Sequence, residues 1–154
     1  MQVQKDNIRS KILKIAEEEF LKKGFKSVSM REISAKSDVG LSNIYNYFRN
    51  KNEILEEVLA PLLAAFNQLL EDHNQSKYID KDIFTSEEYQ LEHAETFVQL
   101  ILKFKKELKL LLFHAHGSSY ENFWDEFTDR HTETGFKYIQ KMKEKYPQVN
   151  TNFS

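Results

Sequence analysis

The stretch Leu41 to Lys51, LSNIYNYFRNK, sets a hydroxyl, amides and phenols side by side and contains no carboxylate. On a helical wheel Leu41, Ile44 and Phe48 fall within about 60° of one another and form an inward face. Ser42, Asn43, Asn46 and Tyr47 cover the opposite side, with Tyr45 at its edge. That is chemistry suited to a nucleic-acid groove. An asparagine amide donates to and accepts from adenine at once, and serine pairs with several base edges. A phenolic hydroxyl reaches phosphate oxygens. Arg31, ten residues upstream, has the fork that suits guanine or a phosphate, while Arg49 and Lys51 add positive charge beyond the helix. By chemistry alone, Tyr45 and Tyr47 are equally consistent with packing residues of a small bundle.

The surrounding elements must present this stretch. Ile8, Ile12, Ile15, Ala16 and Phe20 recur at helical spacing and predict a first helix from Asp6 to about Lys23, stopped by Gly24. Ser29 and Glu32 have capping-box spacing and predict a short second helix, about Met30 to Lys36, with Ile33 inward. Asp38-Val39-Gly40 reads as a turn, and Leu41 to about Phe48 as a third helix. Two short helices joined by a tight turn make a helix-turn-helix candidate. Asn50 with Glu53 repeats the box and opens a long fourth helix to about His73, which Pro61 should kink. Residues 74–85 read as a polar connection. Helix resumes at Ser86, over SEEYQLEHAETFVQLILKF and then KKELKLLLFHA, until Gly117 breaks it; a further box, Ser118 to Glu121, opens a last helix to about Lys145.

Composition agrees with an all-helical chain. Only 4 Gly and 2 Pro occur in 154 residues, too few for the turns of a sandwich or barrel. The absence of cysteine excludes a disulfide framework and thiolate metal sites. No apolar run has the length of a membrane span and no signal core opens the chain, so a cytoplasmic protein with no membrane partner is expected. Charge is uneven: residues 1–51 carry 11 basic and 6 acidic side chains, and residues 52–154 carry 11 and 18. A net +5 head on a −7 body suggests that only the head meets a polyanion.

From about Ile8 to Leu55 the chain resembles the DNA-binding domain of TetR-family transcriptional regulators. The resemblance rests on Gly24-Phe25, Ser29, Ile33, Val39, Ile44-Tyr45, Tyr47-Phe48 and Lys51 in order. The chain departs from the family pattern at Ser34 and Ser37, where alanines are common, at Asp38, where glycine is usual, and at Gly40, where serine normally caps the reading helix. The resemblance implies that Arg31, Ser42, Asn43 and Asn46 face bases and that Tyr45, Tyr47 and Lys51 hold phosphates. It also implies an operator of double-stranded DNA, a homodimer, and a division into a helix-turn-helix domain, 1–51, and a helical regulatory domain, 52–154. The function it implies is that of a transcriptional regulator, a repressor released by a small molecule. Family members dimerise through two long C-terminal helices where this sequence offers one, so the body looks one helix short.

In the body, Phe97, Ile101, Phe113, Phe123, Trp124 and Phe127, with Phe66 on the fourth helix, are candidates to line a cavity for an apolar or amphipathic ligand, and His114 to supply a polar contact. Each of these is equally a core residue. His114 and His116 are two apart and face different sides of a helix, so no metal is expected, and no cofactor. Asp125, Glu126, Asp129 and His131 sit in an ordinary solvated charge pattern with no nucleophile and base, so the chain does not read as an enzyme. The runner-up reading is a helical protein-interaction module that has lost specific DNA binding, motivated by Asp38, Gly40 and the short C-terminus.

Overall fold

The computed structural model describes residues 1–73 and 86–148. The connection expected at 74–85 and the polar tail lie outside the described residues. The described elements are all helical: α1 Gln2–Lys23, a 3-10 turn Phe25–Ser27, α2 Met30–Ser37, α3 Leu41–Tyr47, α4 Lys51–His73, α5 Glu87–Lys103, α6 Lys105–Phe113 and α7 Phe123–Lys145. They divide into two compact units. One is Met1–Ala64 with Phe104–Phe123, the other Ala65–Lys103 with Trp124–Ser154. The first unit therefore takes in the start of α4 and all of α6, beyond a cut after Lys51.

The first unit is built on the α1 stripe. Ile12, Ala16 and Phe20 are fully buried, along with Ile33, Ile44, Phe48, Ile54, Leu55, Leu59, Leu62 and Leu110. Each large apolar side chain removed from water contributes about 1.5–3 kcal/mol, which fixes the short helices that propensity alone would not hold. α1 packs against α2, the 3-10 turn and α6, and α2 packs against α3. Glu19 is buried on α1, and its carboxylate meets Lys36 Nζ of α2 at 2.6 Å. The hydrogen bond from Lys36 holds this carboxyl below the usual carboxylate range against the opposing cost of burial.

The helix starts and stops follow local chemistry. Gly24 ends α1 at φ 82°, its N–H donating to Phe20 O. The Ser29–Glu32 capping box is complete: Glu32 N donates to Ser29 Oγ at 3.2 Å, and Ser29 N to Glu32 Oε2 at 2.9 Å. Asp38 takes the left-handed conformation, φ 54°, that the turn requires. Ser34 and Ser37 sit without strain, since Ser34 Oγ donates to Val39 O at 2.7 Å across the turn and Ser37 Oγ to Ser34 O at 3.4 Å.

α5 and α6 part at Phe104, where the sequence reading divides its two stretches. Two details differ from the sequence reading. α1 begins about one turn earlier, at Gln2. Residues 118–121 form a turn and not a helix start. Ser118 Oγ donates to Ala115 O at 2.5 Å and accepts from Tyr120 N, while the Glu121 carboxylate accepts from Gly117 N, so no capping box forms and α7 starts at Phe123. This loop is fastened to the head. Phe25 N donates to His114 O at 2.9 Å, and Ser119 N donates to Asn52 Oδ1 at 2.8 Å.

In the second unit, Phe66 of α4 lies 6.0 Å from Phe127 of α7, centroid to centroid. Ser86 Oγ accepts from Tyr89 N at the start of α5.

Candidate nucleic-acid interface

α3 is only seven residues long and is held by its inward face, where Ile44 and Phe48 are buried. This leaves Ser42, Asn43 and Asn46 exposed, Tyr45 half exposed and Tyr47 partly covered. Asn46 Nδ2 donates to Asn43 Oδ1 at 3.4 Å, which aligns the two amides one helical turn apart. Arg31 is exposed near the start of α2. Asn43, Asn46 and Tyr47 also form one wall of an open groove of about 490 Å³ whose other wall is Gln2, Lys5, Asp6 and Arg9 from the start of α1. Sequence reading missed Gln2 and Lys5 because it began α1 at Asp6. The apolar stripe starts only at Ile8, so periodicity gave no signal for the first turn.

The cations around this groove differ in availability. Arg9 is engaged: its Nε donates to Glu57 Oε2 at 2.9 Å, its Nη2 makes a second bond to Oε1, and its guanidinium lies 4.7 Å from the Phe48 centroid. Lys5 and Arg31 are exposed, and their side chains make no ion pair among the described residues. Arg49 is exposed, with Nε 3.8 Å from Glu53. Lys51 points inward. Its Nζ donates to Phe25 O and Val28 O, both at 2.7 Å, and lies 4.2 Å from the Phe25 ring centroid.

The family model for bacterial regulatory proteins of the tetR family matches residues 12–58, the span that builds this surface. The head is a TetR-family domain. Two curated relatives come from Bacillus subtilis (strain 168). The HTH-type transcriptional regulator YhgD is 33% identical over 57 residues, 37% of this chain and 30% of that protein. The protein named "Probable HTH-type transcriptional regulator YttP" is 31% identical over 67 residues, 44% of this chain and 32% of that protein. The chain thus spans about a third of the curated relatives it matches. Solved structures extend the likeness in fold. A transcriptional regulator of the TerR/AcrR family from Aquifex aeolicus VF5 matches 91% of this chain and 74% of its own, with TM-score 0.57 and 18% identity. A TetR-family protein from Syntrophomonas wolfei matches 95% and 74%, with TM-score 0.59 and 24% identity.

Beyond the TetR-family head, the residues expected to line a ligand cavity fall into two groups. In the second unit Phe66, Trp124 and Phe127 come together, with Trp124 5.7 Å from Phe127. His131 joins them, stacked on Phe127 at 3.9 Å, its Nδ1 2.6 Å from Phe127 O. Phe97 and Ile101 of α5 are exposed. Phe113, His114 and Phe123 belong to the first unit, where Phe113 is exposed and the His114 carbonyl is occupied by Phe25. No three His, Asp or Glu side chains among the described residues come together as metal ligands. No described helix is long and apolar enough to cross a membrane.

Proposed function

We propose that this chain binds double-stranded operator DNA through its TetR-family head and regulates transcription, acting as a repressor that a small apolar or amphipathic ligand releases. The observation that carries the DNA reading is the exposed, carboxylate-free side of α3. Asn43 and Asn46 are aligned there for base edges, and Tyr47 closes a groove with Lys5 on its other wall. Ser42 and Arg31 add base contacts, and Tyr45 and Tyr47 hold phosphates. Two copies are needed, because heads on a homodimer read half-sites about 34 Å apart along the duplex or a multiple of that. The body, 52–154, takes the ligand at the aromatic cluster around Phe66, Trp124 and Phe127. Release is a population shift: a ligand that weakens operator affinity tenfold must favour the released state by about 1.4 kcal/mol.

Selection from a random duplex pool tests the reading. The expected product is a two-fold symmetric motif, lost in the Asn43→Ala/Asn46→Ala double variant. Enrichment that the double variant reproduces, or no enrichment at all, sinks the sequence-reading role of α3 and favours a helical interaction module.

A further inference from the structure

The lysine at the start of α4 stands where a phosphate contact is expected, yet its donors are already used. An ammonium has three N–H donors and no acceptor. Lys51 Nζ faces three carbonyls: Phe25 O at 2.7 Å, Val28 O at 2.7 Å and Lys26 O at 3.5 Å. These carbonyls lie on and just past the 3-10 turn Phe25–Ser27, whose C-terminal end carries partial negative charge that a cation offsets. The Phe25 ring at 4.2 Å closes another side. Burial pulls this ammonium below its ordinary pKa, with the Glu32 carboxylate opposing. Turning toward a phosphate would strip two short hydrogen bonds and take from Val28 O its lysine donor, while Phe25 O would keep only the Val28 N–H at 3.3 Å.

We propose that Lys51 is a positioning residue of the head: it pins the first turn of α4 to the turn that launches α2, and it takes no phosphate. The pin sits at a junction. Val28 precedes Ser29, the cap of α2, so fixing its carbonyl fixes the direction in which α2 leaves. Phe25 is held from its other side by His114 O, and Asn52, next to Lys51, holds Ser119. Residues 51–52 thus tie the start of α4 to two segments at once. The phosphate-neutralising charge of the head then falls to the exposed Lys5 and Arg49.

The proposal rests on the DNA-binding reading above, and its test separates the two. Binding to a labelled mixed-sequence duplex of roughly 30 bp is followed by anisotropy between about 50 and 200 mM NaCl, where each phosphate contact adds about 0.9 to the slope of log K against log salt. Lys51→Met is expected to keep the wild-type slope, to bind more weakly at every salt concentration, and to exchange its 26–29 amides at least tenfold faster. A slope that falls by about 0.9 overturns the proposal, as does unchanged exchange at 26–29. If Lys51→Met does not fold, the wild-type ammonium decides. Its Nζ resonance should stay unmoved when the duplex is added, and a shift on binding overturns the proposal. A wild-type chain with no salt-dependent binding removes the DNA reading, and the exchange rates alone then decide the pin.

Discussion

Glu32 shows how much one side chain can carry. It closes the α2 capping box and pairs with Lys23 Nζ at 2.5 Å. The bond from Lys23 and the Ser29 N–H hold its carboxyl at about 2. Because that pKa is depressed, the stability it contributes is present above the ordinary carboxylate range and is lost as pH falls from about 4.5 toward 2. Urea midpoints at pH 6 and pH 3 should therefore fall further in the wild type than in Glu32→Gln; equal falls would count against this role. Glu17 has the opposite sign. Burial pushes its carboxyl up, Glu107 pushes the same way, and Lys106 only partly offsets them. Its protonated form is favoured in the fold, so that contribution is present at low pH and lost as pH rises through the raised value. Glu17→Gln should raise the urea midpoint at pH 7, and the gain should shrink at pH 4; no gain at pH 7 would show that the site solvates the carboxylate.

Among the elements, α3 is the least supported by its own sequence. Gly40 stands at its N-cap with no side-chain bond, at φ −55° and with open space where a Cβ would go. Gly40→Ser should add a few tenths of a kcal/mol, read as a rise in thermal midpoint. Ser29→Ala should cost α2 about 1 kcal/mol by the same measurement. α1 to α4 were legible because each declares itself locally: an apolar stripe, a capping box, a left-handed Asp38, an Asn50 whose Oδ1 accepts from Glu53 N at 2.9 Å. The turn at 118–121 was not legible, because its Ser and Glu have box spacing but spend their bonds on Ala115 and Gly117. The contacts of Lys51 were not legible either, for a related reason. Its partners are more than twenty residues away, and no local pattern reports a carbonyl that distant.

On the scale of the molecule, charge and chain order matter most. The basic head predicts duplex binding that weakens steeply with salt, and Lys5→Ala should lower the log–log slope by about 0.9 in the same titration. An unchanged slope would place Lys5 off the duplex. The aromatic residues of the body were visible in the sequence, but their allocation was not: helical spacing says that Phe113 and Phe127 lie on helices, not that they belong to different units. The first unit is assembled from two stretches, Met1–Ala64 and Phe104–Phe123. The order in which a ribosome delivers them has a consequence. When α1 to α3 and the start of α4 have emerged, the unit still lacks α6 and the loop that binds Phe25 and Asn52. The missing side arrives only after 59 further residues, Ala65 to Phe123, about 3–12 s later at ordinary elongation rates. Through that interval the nascent head exposes the apolar surface that Leu110 and Leu111 later cover, and it is then open to chaperones and proteases.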